Sequence, residues 1–348
     1  MILQWRFQYK FLSAVNYHGA FILKTDISEN VMNYYPSYYN RFSCIAGKCF
    51  DSCCKAWEIV IDEKTIEIYK KLDNDIGRKI REFIEIDANG DKYFRLVDGK
   101  CPFLNSDNLC DIHIVLGEDF TSEICRVHPR FVEEYDGFTE ISLSLSCPAA
   151  AEIIVENLNN EDVYPTPAYC GDDDVLKALI KSRKIILNCT GSIFDAIKFC
   201  LKIASEDEFY VNCEKIKYEH FIDISAIKNY CKFIADFCEA LGPEWKFMLM
   251  KAVNYNDTSK DWISYIDRNN ERLLNIFRYY VYRYYLKAVN DLDIMLRARF
   301  IVFSVLCSAY ISFSNDIGLT EAARLYSKEI EHSTENIDIL LDNFSLDF

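Results

Sequence analysis

The stretch RFSCIAGKCFDSCCKAW, residues 41–57, places four cysteines within eleven positions, and two of them, Cys53 and Cys54, are adjacent. Three chemistries use cysteine at this density: disulfide bonding, thiol exchange, and ligation of a metal or an iron–sulfur cluster. The other cysteines help to separate them. There are fifteen in 348 residues. Eight fall between 44 and 147, in short blocks: Cys44, Cys49, Cys53 and Cys54, then Cys101-Pro102, Cys110-Asp111-Ile112-His113, Cys125-Arg126-Val127-His128-Pro129 and Cys147-Pro148. The remaining seven (Cys170, Cys189, Cys200, Cys213, Cys231, Cys238, Cys307) are scattered among apolar residues and read as buried or partly exposed free thiols.

A disulfide framework needs an oxidising compartment. The N-terminal stretch MILQWRFQYKFLSAVNYHGAFILKTD has Arg6 and Lys10, as a signal peptide would. Its apolar runs are broken by Gln8, Tyr9, Asn16, Tyr17 and His18, and no small-residue cleavage site follows. Residues 1–23 are therefore read as a non-secretory extension and the protein as cytoplasmic. Reduced cysteines in tight blocks then favour a metal or cluster, because soft thiolates suit zinc and iron–sulfur centres. The spacing C-x4-C-x3-C-C lacks the paired C-x2-C of zinc ribbons. Zinc and iron–sulfur both stay open on spacing alone. His113 and His128 each follow a cysteine by three positions and are expected to hydrogen-bond rather than ligate. Arg126 and Arg130 flank His128. They are expected to pair with carboxylates, or to offset thiolate charge or bind a cofactor carboxylate.

The net charge of −15 argues against nucleic-acid binding. The longest apolar run, FIVFSVLCSAYISF at 300–313, is too short to cross a bilayer and reads as a buried helix, so no membrane association is expected. No dinucleotide-binding glycine motif, P-loop, nucleophile elbow or metalloprotease motif occurs, and five histidines leave little for a hydrolase.

Between the cysteine blocks, EIVID opens as a short strand and DEKTIEIYKKL as a helix, with IGRKIREFIEI (76–86) continuing it. DANGDKYFRLVDGKCPFL reads as a hairpin with turns at Asn89-Gly90 and Asp98-Gly99. LCDIHIVLGEDF is a short helix ended by Gly117, TSEICRVHPRF a helix stopping before Pro129, and FTEISLSLSC a strand reaching Cys147. The Pro- and Asp-rich segment 160–175 reads as a linker. Beyond it, successive segments carry helical apolar spacing. The expected fold is mainly α with minor β. Its domains are an extension (1–23), a cysteine-rich metal domain with a short hairpin (24–150), a linker (160–175) and an all-α domain (176–348).

PSYYNRFSCIAGKCFDSCCKAWEIVID, CPFLNSDNLCDIH and SEICRVHPRF resemble the signature blocks of the flagellin lysine-N-methylase (FliB) family and, more distantly, of bacterial cysteine-cluster proteins of zinc- or iron-chelating type. The resemblance runs from about Lys24 to the C-terminus and is specific in the N-terminal half. It implies methyl transfer from S-adenosylmethionine to lysine ε-amines of flagellin, and a cysteine-held cluster of the [4Fe–4S] kind, with zinc as the alternative metal. Carried over by position, the candidate ligands are Cys44, Cys49, Cys53, Cys54, Cys101, Cys110, Cys125 and Cys147. A four-iron cluster needs four, so eight are enough for two. The first block with Cys101, Cys110 or Cys125 is the first choice. The tyrosines at 34, 35, 38, 39, 279, 280, 282, 284 and 285 are candidates for cation–π contact with a sulfonium or a methylated ammonium, although those from 279 onward are better read as helix packing. No catalytic base is named. The rival reading is a non-catalytic metal-binding or redox-sensing module with a helical partner-binding domain.

Overall fold

Helices begin where a short polar side chain satisfies the first free amides. Asp62, Asn74, Asp173, Asp223 and Asp293 each accept a hydrogen bond from a backbone N–H two or three residues ahead. Such caps contribute about 1 kcal/mol each. The computed structural model describes residues 32–348, except 89, 158–162, 207–222, 257–258 and 345–348, and the backbone of 13–17 and 20–24. Asn89 of the expected turn, Cys213, residues 160–162 of the expected linker, and 1–12 and 18–19 of the expected extension lie outside the described residues.

Within the extension, β1 (Ser13–Tyr17) and β2 (Ala20–Lys24) pair antiparallel. β3 (Met32–Tyr34) runs parallel to a strand that comes later in the chain. β4 (Ile59–Val60) precedes α1 (Glu63–Lys70) and α2 (Asp75–Glu82). β5 (Ile84–Ile86) and β6 (Lys92–Phe94) follow, with Ile84 opposite Phe94, and β4 pairs the other edge of β6. The expectation of helix through residue 86 therefore fails after Glu82. Phe83 ends the helix and packs on Phe103, and Ile84-Glu85-Ile86 alternates as a strand. α3 (Asp111–Leu116) stops at Gly117, whose φ of +97° suits glycine. α4 (Glu123–Val127) is followed by β7 (Arg130–Tyr135) and β8 (Phe138–Leu143), an antiparallel pair with β3 on the free edge of β8. The strand expected to reach Cys147 ends at Leu143; Cys147 instead starts α5 (Pro148–Val155), with Pro148 in its first turn.

The second half is helical: α6 (Asp174–Leu187), α7 (Ile193–Glu206), α8 (Ile224–Phe237), α9 (Pro243–Asn254), α10 (Ser259–Arg268), α11 (Asn270–Tyr284), α12 (Ile294–Asn315), α13 (Leu319–Ile330) and α14 (Thr334–Phe344). The fold is thus mainly α with small sheets. The apolar run at 300–313 lies inside α12. Among the described residues α12 is the one helix long and apolar enough for a membrane, yet 83% of its most apolar window is buried in protein.

Two hydrophobic cores result. The smaller gathers Trp57, Ile59, Ile61, Ile66, Tyr69, Ile80, Phe94, Phe103 and Ile112. The larger surrounds α12 and takes Tyr38, Phe138, Ile141, Leu143 and Ala150 to Val155 along with the helices, so it draws on both sides of the 160–175 segment. Tyr279, Tyr280, Tyr282, Tyr284 and Tyr285 are all buried in it.

Candidate metal centre

The eight clustered cysteines are held by two sets of backbone contacts. After Cys54 the chain pairs with the end of the 97–101 hairpin. The Cys101 N–H donates to the Cys54 carbonyl at 2.8 Å, the Ala56 N–H to Gly99 at 2.9 Å, and Lys55 bridges Lys100. Cys101 then turns through Pro102, with the Leu104 N–H on its carbonyl at 3.0 Å, and Leu104 bridges Cys110. Cys110 caps α3, whose Asp111 N–H donates to Phe103 at 2.8 Å. Cys125 is carried by α4. That helix is fastened by the Ser122 hydroxyl on the Val60 carbonyl (2.6 Å) and the Glu123 N–H on Asp62 (2.9 Å). Asp62 also caps α1, so one buried carboxylate sets two helix starts. Cys53, Cys54, Cys101, Cys110 and Cys125 all belong to or pack on the smaller core.

The other contacts hold the loop 44–51. A 3-10 turn at Ala46–Lys48 sits between Cys44 and Cys49; the Ala46 N–H points at the Cys44 sulfur (3.4 Å) and the Cys49 thiol at the Asp51 carbonyl (3.3 Å). Gly47 lies against the 107–109 loop, where a Cβ would stand 2.7 Å from the Asp107 carbonyl oxygen. Asp51 receives Arg324 Nη1 at 2.5 Å and Lys328 Nζ at 2.7 and 2.8 Å, both from α13. Arg324 Nη1 also reaches the Ser146 carbonyl at 3.5 Å, beside Cys147. The Trp57 indole donates to the Cys53 carbonyl at 2.7 Å, and Lys328 stands over the Trp57 ring at 5.4 Å.

Burial pushes the thiols of Cys49, Cys110, Cys125 and Cys147 up, and that of Cys101 to about 12. Cys53 and Cys54 share a hydrogen bond, which pushes Cys53 up and draws Cys54 down to about 7. A cluster of partly dry thiols resists ionisation in the absence of a cation; a soft metal ion is the group that takes the proton's place. In kind, thiol donors suit zinc or iron. All fourteen described cysteines are free thiols. Among the described residues, no three His, Cys, Asp or Glu side chains close on one point as ligands of a single ion. An iron–sulfur cluster asks for less convergence, since each thiolate binds a different iron.

His113 is exposed on α3. The His128 ring is held near 4 by burial, then by Arg130 and Lys328. It lies 6.0 Å from Trp57 and 6.1 Å from His332, whose Nε2 bonds the hydroxyls of Ser144 (2.9 Å) and Ser146 (2.7 Å). Arg126 bonds the backbone carbonyls of Thr121 and Asp119. Arg130 Nε donates to the Tyr39 hydroxyl at 2.9 Å and faces the Tyr39 and Phe42 rings. Asp51, Trp57, Arg324, Lys328 and His332 were not foreseen from sequence. An acid inside a cysteine block is a weak signal, and its basic partners lie more than 270 positions away, beyond any local pattern.

The cysteine blocks coincide with the similarity to known proteins. Residues 43–170, which contain all eight cysteines, match the CxxCxxCC family, described as a "Putative zinc- or iron-chelating domain". The chain is 32% identical over 133 residues to the lysine-N-methylase of Salmonella typhimurium, a match covering 36% of this chain and 32% of that protein. The lysine-N-methylase of Salmonella choleraesuis matches equally. The chain's match thus spans about a third of the length of these lysine-N-methylases. The flagellar biosynthetic protein FliU of Salmonella muenchen is also 32% identical over 133 residues, and there the match covers 77% of the relative. No solved structure matches the chain. With the cysteine set, its supporting loops and most of FliU matched, the chain belongs to the FliU and lysine-N-methylase family and carries that family's zinc- or iron-chelating region.

Proposed function

We propose that the protein methylates lysine ε-amines of a flagellin-type protein, with S-adenosylmethionine as donor and a cysteine-held iron–sulfur centre. The observation that carries the reading is the 32% identity over 133 residues with proteins named lysine-N-methylases, beside a zinc- or iron-chelating family match over residues 43–170. The donor chemistry is an electrophilic methyl on a sulfonium sulfur. The lysine must present a neutral amine; its N–CH3 bond forms as the S–CH3 bond breaks, and the proton leaves the new ammonium. Of this chain's residues, Arg126 and Arg130 are the ones assigned to the donor carboxylate, and Cys44, Cys49, Cys53, Cys54, Cys101, Cys110, Cys125 and Cys147 to the metal, [4Fe–4S] before zinc. Mostly reduced, partly buried thiols suit the cytoplasm.

Co-expression with a flagellin, followed by intact-mass analysis, tests the activity. Mass increments of whole methyl groups that localise to lysine are expected. Unmodified flagellin beside metal-loaded protein and supplied S-adenosylmethionine would instead favour a metal-binding or redox-sensing module without catalysis.

A further inference from the structure

We propose that the buried pair Arg283–Glu331 holds an internal water molecule, shared with the hydroxyls of Tyr38 and Tyr280, where α11 meets β7 and the end of α13. The site goes beyond the activity and the metal role put forward above and depends on neither.

Arg283 is fixed on two sides. Its guanidinium lies on the Phe131 ring of β7 at 3.6 Å, and Nη1 donates to Glu133 Oε1 at 2.9 Å. Its third side is unfinished. Nε stands 3.9 Å from Glu331 Oε1, too far for a direct hydrogen bond. That Nε and the hydroxyls of Tyr38 and Tyr280 have no hydrogen-bond partner among the described residues. All three residues are at most 3% exposed. A buried donor left without a partner carries its full desolvation penalty, so nearly all such groups in folded proteins are satisfied by protein or by ordered water. Glu331 is the point these groups share. Its carboxylate accepts from the Tyr279 and Tyr284 hydroxyls at 3.0 Å. Burial pushes the Tyr38 and Tyr280 hydroxyls well up; after burial, the strongest influence on Tyr280 is Glu331, and Arg283 is among the charges acting on Tyr38.

Charge and size choose the ligand. Arg183, Arg283 and Lys287 face Glu140, Glu133 and Glu331. These three cations and three carboxylates balance, so a further ion of either sign would be buried unpaired. A polar contact longer than about 3.5 Å between a donor and an acceptor is the setting for one bridging water. Arg283 Nε donates, the carboxylate accepts, and the tyrosine hydroxyls do either. Water meets all of these with one small neutral molecule.

The test uses the full chain. Tyr38→Phe and Tyr280→Phe keep the rings and remove only the hydroxyls. A hydroxyl bonded to water is a hydrogen bond lost, and an unsatisfied one is a penalty relieved, so the two cases differ in sign. Each variant is expected to lower the urea midpoint by about 0.3 M. An unchanged or raised midpoint in either variant overturns the site. For a variant that does not fold, crystals of the natural sequence decide. Density for one water within hydrogen-bond distance of both Arg283 Nε and Glu331 Oε1 is expected. Arg283 Nε bonded directly to Glu331, with no density between them, would overturn the proposal.

Discussion

Asp51 is a single carboxylate between two cations of a distant helix. Burial alone would push it up, but Lys328 and Arg324 hold it below the usual carboxylate range. Its folded pKa is depressed, so its contribution to stability is complete above the ordinary carboxylate value and is lost as pH falls through the folded one. Asp51→Asn leaves Lys328 and Arg324 buried with less compensation and is expected to cost about 3 kcal/mol, read as a lower urea midpoint. Glu329 runs the other way. Its carboxyl is pushed up by burial to about 7 while Oε2 accepts from the Leu241 N–H at 2.9 Å. The stability it contributes is complete below its ordinary 4.5 and is lost as pH rises through about 7. Unfolding followed across that window should show Glu329→Gln losing on the order of 3 kcal/mol less than the natural sequence; parallel pH profiles would refute the assignment. The first-block cysteines, and the class of chemistry they serve, were legible in the sequence at this scale. The Asp51 cluster was not, because its partners meet only after α13 is folded against the loop.

Elements are joined by a few buried charges. Arg183 of α6 forks onto Glu140 of β8 at 2.5 and 2.7 Å, with both side chains at most 3% exposed, and Arg183 also reaches the Tyr282 carbonyl. Removing one partner strands the other charge, so Arg183→Ala should cost about 3–5 kcal/mol, and the double change to a matched apolar pair much less; a double-mutant cycle by chemical denaturation checks it. Element types were largely readable from periodicity and caps. The errors have local causes. Residues 84–86 leave the helix because a strand partner, β6, is available across the turn, and β8 stops at Leu143 because Ser144 and Ser146 turn inward to His332. Propensity does not know which partner is near.

At the scale of the molecule, two cores of different make-up stand side by side. The larger is mainly aliphatic and aromatic, with a few buried cysteines. The smaller gathers far fewer buried residues and has further cysteines packed against it. Stripping a thiol-bound metal should therefore loosen the segment from Cys53 to Cys125 and leave α12 protected, because metal binding supplies folding free energy where apolar burial is thin. Hydrogen exchange with and without a chelator measures this; uniform loss of protection across both cores would contradict it. The sequence by itself determined the thiol inventory, the helical second half, the acidic charge and the family resemblance, since each is written in local spacing or composition. Only the tertiary structure decided that Arg324 joins the first cysteine loop to the carbonyl beside Cys147, and that the backbone of Cys101 pairs with that of Cys54. Those facts depend on which surfaces meet, and contacts between residues hundreds of positions apart leave no periodic trace in a single chain.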